Sequence, residues 1–579
     1  MRFLSVAWPF LLALLSGGLL SLVYPPFDFA DLVWFGPMVL LFALWKGRWV
    51  SRVKRAAFGV GWSAGLVFWV INLKWLGVVA SGGYLILAAY LAIYMGVFGV
   101  FAATVGNPFL RRKASFSAVE EAVHSLLFAG VNAFVWCGLE WVRGWFLTGF
   151  GWNGLGVAFH DRLVLAQGAE VVGVIGLSFL PIFVGSVIVQ VGCRFFEAVR
   201  NGRLERHWDF AVMIVLLMSC FFYGVVRMKG VNHAPSKTLK VLLVQQDIPQ
   251  IASQILRTNE EVSAAYEGET LAALDRVEDE NTRRVAEADQ PVLLERVDWV
   301  VWPEVVLKGP MYTKPNGESG LHHETSESIE QMQAAGVRTF ILGLGELETD
   351  EEFRLTDPVV QYNSLVAVNA QQELAVHRKK HLVIYGEFIP LVDSVPILGK
   401  IYKAVAGVEW SGNLGRGEKQ ELISLQGAGG EVNVIPSICF EDTVPRVTRQ
   451  FSEGTREVIV NITNDGWFGE SEGSRQHYVN ALFRSIELRR PMMRAANRGV
   501  TGVISATGSL VNYETGERQV LEREDGKPFL AGSLLANVQV ADSLGPTIYA
   551  RFGDWFSVMG LVIGGVWVIW VKRSSREQA

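Results

Sequence analysis

The chain has 579 residues, a length that predicts more than one domain. Half of the residues are hydrophobic and 19% are charged, which is a low charged fraction for a soluble enzyme. The net charge of −5 averages over unlike regions, and nothing in the composition indicates a surface for binding nucleic acid.

Residues 1–226 are a series of apolar runs and predict a seven-span transmembrane domain. Residues 237–545 read as an α/β domain, residues 553–571 predict an eighth transmembrane helix, and residues 572–579 form a polar tail. The predicted spans lie near residues 7–24, 32–45, 57–73, 84–106, 122–145, 166–193, 208–226 and 553–571. The second is shorter than the roughly 20 residues that a bilayer crossing needs.

Lysine and arginine concentrate after the second, fourth and sixth predicted spans and in the tail. These residues are Lys46, Arg48, Arg52, Lys54 and Arg55, then Arg111, Arg112 and Lys113, then Arg194, Arg200, Arg203 and Arg206, and finally Lys572, Arg573 and Arg576. Because basic connections stay in the cytoplasm, both termini are predicted to be cytoplasmic. The 237–545 domain then lies on the other, extracytoplasmic side of the membrane.

Short β-branched runs alternate with helical stretches in the 237–545 domain, a pattern typical of sheets covered by helices. Strands are predicted at Lys240–Gln245, Asp298–Trp302, Thr339–Leu342, Ser364–Val368, Val434–Ile438, Val458–Ile462, Gly502–Ala506 and Gly532–Val540, and helices at Glu324–Ala335 and His477–Leu488. The charged stretch from Arg257 to Pro291 is interpreted as a solvated helical insertion outside any site.

Cys439 is the only cysteine in the 237–545 domain, so it has no partner for a disulfide there. A lone cysteine is commonly a small buried hydrophobe. The positions of Glu304 and Lys379 favour a reactive role for this cysteine. All three residues follow predicted strands, and strand ends converge on one edge of a sheet, where sites form. Glu304 could take the proton of the thiol, and Lys379 with the backbone N–H of Phe440 could stabilise a tetrahedral intermediate.

These residues carry a family resemblance. Trp302-Pro303-Glu304, Lys379-Lys380-His381-Leu382 and Ile438-Cys439-Phe440-Glu441 resemble motifs of the carbon–nitrogen hydrolase (nitrilase) superfamily. The narrower resemblance is to the apolipoprotein N-acyltransferases, and it is carried by the stretches Tyr24-Pro25-Pro26-Phe27, Gly151-Trp152-Asn153-Gly154-Leu155-Gly156, Asn461–Gly469, Gln476-His477, Arg484–Glu487 and Arg494–Gly499. Phe440 departs from the pattern, which usually has Tyr there, and Ile384-Tyr385 stands where the family usually has Pro-Phe.

The resemblance implies an αββα sandwich next to a polytopic helical membrane domain, in a bacterial inner membrane. It also implies a ping-pong reaction in which Cys439 takes an acyl chain from a phospholipid as a thioester. The chain then passes to the N-terminal S-diacylglyceryl cysteine of an apolipoprotein. Glu304, Lys379 and Cys439 are the implied catalytic residues, and Glu387 and Glu441 are expected to orient Lys379 and to shape the electrostatics of the site. No cofactor is implied, and the chain is expected to act as a monomer.

The sequence after Glu387 is apolar through Ala406 and carries Leu391, Ile397 and Leu398. Pro390, Pro396 and Gly399 are expected to break regular structure there. One interpretation is that this segment packs into the core of its own domain. The other is that it forms a substrate-access arm, which rests in the outer surface of the bilayer and opens to admit the phospholipid and then the lipoprotein.

Two other functions are compatible with parts of the sequence. A membrane-tethered nitrilase-type amidase would use the same three residues with water as the acceptor. A transporter or binding scaffold would be expected to carry ionisable residues inside its spans, where Glu140, Arg143 and Glu170 are the few candidates. A metal site is not expected, since His322-His323 and His377/His381 lack the partners of a zinc site.

Overall fold

The computed structural model describes residues 2–47, 52–79, 82–112, 116–202, 205–251, 254–255, 258–288, 294–307, 309–392, 394–395, 397–406, 412–418, 421–427, 429–454, 456–542 and 544–577. The chain divides into two compact units. The first comprises Met1–Lys229 and Thr547–Ala579, and the second comprises Gly230–Pro546.

The α-helices in chain order are α1 (Arg2–Ser21), α2 (Phe35–Lys46), α3 (Val53–Asn72), α4 (Gly83–Ala103), α5 (Ala118–Arg143), α6 (Leu163–Ala166), α7 (Ala169–Leu177), α8 (Phe179–Arg200), α9 (Trp208–Asn232), α10 (Asn259–Glu287), α11 (His323–Ala334), α12 (Ile397–Ala406), α13 (Pro445–Arg449), α14 (Gly473–Ala481), α15 (Phe483–Leu488), α16 (Ile548–Phe552) and α17 (Trp555–Glu577).

The first unit is helical, as its apolar runs predict. Within the described part of the chain, five helical segments are long and apolar enough to cross a membrane, and α1 contributes a shorter apolar stretch. The five are Gly83–Leu110, Ala118–Arg143, Phe179–Arg200, Trp208–Asn232 and Trp555–Ser574. The predicted number of eight spans stays a prediction.

The continuous span predicted at 166–193 is wrong in its bounds. The long helix here is α8, and the residues before it form the short helices α6 and α7. Helix α7 is itself interrupted at Gly173, whose φ of 71° is non-helical. Glycine adopts a positive φ easily because it has no Cβ.

The strands of the second unit are β1 (Ser236–Gln245), β2 (Gln250–Ile251), β3 (Gln254–Ile255), β4 (Trp299–Val301), β5 (Met311–Thr313), β6 (Ser319–Leu321), β7 (Thr339–Glu348), β8 (Gln361–Val368), β9 (Leu374–Arg378), β10 (Ile423–Gly427), β11 (Gly430–Ile438), β12 (Glu457–Thr463), β13 (Met492–Ala496), β14 (Thr501–Ile504), β15 (Val520–Leu521) and β16 (Gly532–Ala541).

The strands form two large sheets and a small hairpin of β2 and β3. In the first sheet the order is β16-β1-β4-β7-β5-β6, with β8 paired to β7 and β9 to β8. The second sheet has the order β10-β11-β12-β13-β14-β15. Strands β1, β4 and β7 are parallel to one another, as are β11, β12 and β13. Within each sheet, the carboxyl ends of these parallel strands lie at the same edge, and so do the residues that follow them.

The core of this unit has two layers. Alternate residues of the two sheets, such as Val241, Ile341, Val434 and Val460, form one buried cluster and therefore lie between the sheets. The opposite face of the first sheet packs against apolar residues of α10 and α11. The observed layers agree with the expected sheets covered by helices.

The expectation of a fully solvated insertion at 257–291 is wrong for one face of α10. The helix begins with a capping box, in which Thr258 and Glu261 bond each other's backbone N–H groups. The side chain of Tyr266 is fully buried and donates to Asn497, and Thr270 accepts a bond from Trp302. These polar contacts cannot be read from the charge pattern, because charged residues cover the other faces of the helix.

Two further local predictions differ from the structure. The helix predicted at His477–Leu488 is divided into α14 and α15. The apolar segment after Glu387, expected to be irregular, ends in the ten-residue helix α12. Both prolines precede that helix in the sequence, and Gly399 lies within it, since a glycine weakens a helix without blocking it.

Candidate active site

Glu304 lies three residues beyond the end of β4, on a turn that is tightly packed against β7. Gly343 of β7 approaches so closely that a Cβ there would lie 2.6 Å from the Cα of Glu304. The next residue, Val305, has a φ of 46°, which is rare for a β-branched residue. This local strain holds the carboxylate at the strand end, and the residue is 7% exposed.

Lys379 lies directly beyond β9, and its backbone N–H donates to the carbonyl of Asn363 on the neighbouring β8 (2.8 Å). The side chain is fully buried. Its Nζ donates to Oε1 of Glu387 at 2.8 Å and to Oε1 of Glu304 at 3.4 Å. Burial lowers the pKa of Lys379, but the carboxylates of Glu387 and Glu304 outweigh it, so the pKa lies above its ordinary value.

Cys439 is the first residue beyond β11, and its φ of 53° puts it in the left-handed region. This sharp turn after a strand presents the half-buried thiol at the sheet edge, as strained turns do for other nucleophiles. Asn461 of β12 donates to the carbonyl oxygen of Cys439 (3.1 Å) and to Oγ of Ser437 (3.1 Å). The turn is therefore fixed by a side chain of the adjacent parallel strand.

The thiol and the charged residues interact electrostatically. Burial raises the pKa of the Cys439 thiol, the charge of Glu304 raises it further, and the charge of Lys379 lowers it. The net pKa is well above the ordinary value, so the thiol is protonated at neutral pH. Such a thiol needs a base at the moment of reaction.

Glu387 and Glu441 accept hydrogen bonds from different groups near Lys379. Glu387 contacts the ammonium directly and also accepts the N–H of Val383 (2.8 Å). Glu441 is fully buried and accepts backbone N–H groups of Lys380, His381 and Ile438 at 2.7–2.9 Å. It thus joins the segment after Lys379 to the strand that ends at Cys439. The ring of Phe440 stacks on that of His381, with centroids 6.1 Å apart.

Asn363 belongs to the cluster and was not identified from the sequence. Its Nδ2 donates to Glu304 at 2.6 Å and to Glu387 at 3.4 Å, so it bridges the two carboxylates that flank Lys379. The signal that could have identified it is a buried amide in β8, at the position opposite Lys379.

A second buried charge cluster lies behind the Cys439 turn, and it was also not identified. Both ring nitrogens of His477 contact carboxylates, with Nε2 2.8 Å from Asp442 and Nδ1 2.7 Å from Asp465. Arg494 is 3.4 Å from the Asp442 carboxylate and 3.3 Å from that of Asp465. Burial lowers the pKa of His477, but the two aspartates outweigh it and raise the pKa to about 9.

The residues of the predicted access arm lie outside this cluster. Leu391 is 70% exposed and Ile397, the first residue of α12, is 60% exposed. Leu398 follows in the same helix, and its side chain is not among the described ones. Among the described residues, no group of three or more His, Cys, Asp or Glu could hold a metal ion.

Comparisons with known proteins agree across both units. Residues 16–187 match the model of the apolipoprotein N-acyltransferase N-terminal domain, and residues 255–526 match that of the carbon-nitrogen hydrolases. An apolipoprotein N-acyltransferase of Geobacter metallireducens is 28% identical over 96% of this chain and 94% of its own length. One from Allorhizobium ampelinum is 28% identical over 86% of each chain. Among solved structures, a mutant of the amidase from Nesterenkonia sp. AN1 covers 55% of this chain at 10% identity and a TM-score of 0.31.

Proposed function

Since the chain belongs to the apolipoprotein N-acyltransferases, we propose that it transfers a fatty acyl chain from a phospholipid, through a thioester on Cys439, to an apolipoprotein. The acceptor is the α-amine of an S-diacylglyceryl cysteine at the N-terminus of that protein. The observation that carries the proposal is the buried Glu304–Lys379–Glu387 cluster in electrostatic contact with a thiol on a strained turn.

In the first half-reaction the Cys439 thiol attacks the carbonyl carbon of the acyl ester while Glu304 accepts the thiol proton. The negative charge that develops on the carbonyl oxygen is stabilised by the ammonium of Lys379 and the backbone N–H of Phe440. The C–O bond of the ester then breaks, the lysophospholipid oxygen takes the proton from Glu304, and a thioester remains.

In the second half-reaction the amine of the apolipoprotein attacks the thioester carbonyl. Glu304 accepts a proton from the amine, the C–S bond breaks, and the proton returns to the sulfur. An amide and the free thiol result. Lys379 remains an ammonium throughout, because the carboxylates beside it hold its pKa above the ordinary value.

The membrane supplies the setting for this chemistry. The apolar helices of the first unit fit a multi-pass protein of a bacterial inner membrane. From the distribution of basic residues we propose that both termini are cytoplasmic and that the 237–545 domain faces the periplasm, where mature lipoprotein N-termini are exposed. We further propose that one copy of the chain is sufficient for the reaction.

The access arm, which comprises residues 388–406, is proposed to admit both lipid substrates. Exposing the apolar side chains of Leu391 and Ile397 to water is unfavourable, whereas burying them in a membrane surface is favourable. Lys400 and Lys403 are exposed on α12, where they can reach headgroups. Replacing Leu391, Ile397 and Leu398 with Ser is expected to reduce thioester formation from bilayer phospholipid with the fold retained. Unchanged activity on bilayer phospholipid, with the chain normally folded, would rule the arm out as the lipid gate.

The test of the function offers the enzyme both possible acceptors. The purified full-length chain is incubated with phospholipid labelled in its acyl chain, with and without a synthetic peptide whose N-terminal cysteine is S-diacylglycerylated. We expect labelled N-acyl peptide and lysophospholipid. Release of labelled free fatty acid at the same rate with or without peptide would instead assign a membrane-tethered hydrolase, which uses water as its acceptor.

A further inference from the structure

One exposed cation at the rim of the active site has no carboxylate partner among the residues that the structure describes. Arg416 lies in the segment 412–418, and its guanidinium sits 4.7 Å from the centroid of the Phe388 ring. Within the described part of the chain this ring is its partner, and it forms no ion pair. Phe388 follows Glu387, the residue that contacts the Lys379 ammonium.

The backbone around Arg416 is bonded to the same strand ends that carry the reacting groups. The N–H of Gly417 donates to the carbonyl of Lys379 (2.8 Å), and the N–H of Leu414 donates to the carbonyl of Glu387 (2.9 Å). The N–H of Gly415 donates to the carbonyl of Gln361 (2.7 Å). These three bonds fix the position of the arginine relative to the site.

The two glycines beside Arg416 press directly against the sheet. A Cβ at Gly415 would lie 2.3 Å from the Tyr362 ring, and one at Gly417 would lie 2.2 Å from the carbonyl of Arg378. Only glycine permits this approach. The segment is therefore packed on both sides of one exposed cationic side chain, which is fixed in place beside the site.

Two other basic residues near the site, Lys379 and His381, are not suited to bind the phosphate of a donor. The Lys379 ammonium is fully buried and paired with Glu304 and Glu387. In the proposed reaction it serves the carbonyl oxygen of the ester, so the phosphate of the same donor needs a different cation. The neighbouring His381 cannot serve as a cation, because burial and the charges of Arg446, Lys379 and Arg416 lower its pKa to about 3. An exposed guanidinium with no carboxylate is suited to an oxyanion of a ligand, above all to a phosphate.

We propose that Arg416 binds the phosphodiester of the acyl donor, and thereby places the donor ester against Cys439. This inference rests on the proposed function, since it takes the donor to be a phospholipid. A glycerophospholipid carries its phosphate one glycerol unit away from the ester, so a cation at the rim and a thiol inside can engage one molecule together. The acceptor, which has no phosphate next to its diacylglyceryl group, does not use this contact.

The test compares a donor with a phosphate and a donor without one. The full-length chain in neutral-detergent micelles is given phosphatidylethanolamine or phosphatidylglycerol, and in parallel 4-nitrophenyl palmitate, whose ester forms the same thioester. We expect Arg416→Ala to lower kcat/KM for thioester formation from both phospholipids by about 10- to 100-fold, the effect of losing a hydrogen bond to a charged group. We expect its rate with the nitrophenyl ester to be unchanged and Arg416→Lys to recover part of the loss.

The control is Arg283→Ala, which removes an exposed arginine on the outer helix α10. It is expected to leave all three donors unaffected, and neutral micelles exclude a general attraction to an anionic membrane surface. An equal loss with phospholipid and nitrophenyl ester, or no loss with either, would overturn the phosphate site. Failure of the wild-type chain to form a thioester from any phospholipid would instead overturn the proposed function.

Discussion

Two clusters of buried charge flank the Cys439 turn, and they differ in how fully their charges are balanced. Glu304, Glu387 and Lys379 hold two carboxylates against one ammonium, and the side chain of Glu387 is 14% exposed. On the other side, Asp442 and Asp465 meet Arg494 and a His477 whose pKa is raised to about 9. That second cluster is neutral at pH 7, and its side chains are at most 1% exposed.

The difference indicates which cluster reacts and which supports. A balanced, fully bonded cluster fixes backbone segments and has no group free to change its charge cheaply. A cluster with one surplus carboxylate next to a thiol can take a proton and return it. The comparison can therefore be tested with variants of each cluster, since one set should change chemistry and the other should change stability.

The largest effect is expected for Cys439→Ala, which removes the nucleophile and should abolish acyl transfer. Cys439→Ser should be nearly as inactive, because a hydroxyl has a much higher pKa and needs a stronger base than a carboxylate. Label transfer from phospholipid measures both. The matched control is Cys193→Ala in the first unit, which should retain activity, and a Cys439→Ala chain that still forms a thioester would reject the assignment.

Glu304→Gln keeps the shape of the side chain and removes the base, so thioester formation should fall by on the order of 10²–10⁴-fold. The companion variant Asp442→Asn changes a carboxylate of the neutral cluster in the same way. It should mainly lower the Tm of the full-length chain. If Glu304→Gln forms the thioester normally and stalls at transfer to the amine, the base of the first half-reaction is a different group.

Lys379→Ala should reduce the rate of thioester formation by on the order of 10²–10³-fold, as for loss of a donor to a developing oxyanion. It also leaves Glu304 and Glu387 without their cation, which costs stability. Lys380→Ala tests the neighbouring lysine, whose Nζ donates to the backbone carbonyl of Glu418 (3.3 Å), and activity should be retained. Equal rates in the two variants would contradict an electrostatic role for Lys379.

The smallest effect concerns His477, and it depends on pH. Its folded-state pKa of about 9 lies above the ordinary value of 6.5, so its contribution to stability is fully present below about pH 6.5 and is lost as the pH rises through 9. Tm of the wild-type chain should therefore fall between pH 6.5 and 9.5. His477→Gln should have a lower Tm at pH 6.5 and a flatter dependence on pH, whereas parallel curves would mean that His477 is neutral in the folded chain.

The sequence was sufficient to predict the elements whose signal is local. Each of Glu304, Lys379 and Cys439 follows a short run that predicts a strand. The structure has strands directly before Lys379 and Cys439, and a strand that ends three residues before Glu304. The layers of sheet and helix follow from the same alternation. These features depend on periodicity within a few residues, which a single sequence records.

The rest depends on contacts between distant parts of the chain. Asn363 joins the site because β8 pairs with β9. Asp442, Asp465, His477 and Arg494 meet only because β11, β12 and β13 pair in parallel through two crossover connections. The buried face of α10 was missed because Tyr266 and Thr270 are polar, and their burial depends on Asn497 and Trp302. Nothing in the local pattern distinguishes such residues from solvated ones.

The most direct measurement of the central claim locates the acyl group on the chain itself. The full-length chain is mixed with phospholipid labelled in its acyl chain, and the protein is digested and examined by mass spectrometry before and after addition of the S-diacylglyceryl peptide. We expect a hydroxylamine-sensitive acyl adduct on the peptide containing Cys439. This adduct should disappear as the label moves to the amine of the acceptor. An adduct on any other residue, or acyl transfer without an adduct on Cys439, would contradict this expectation.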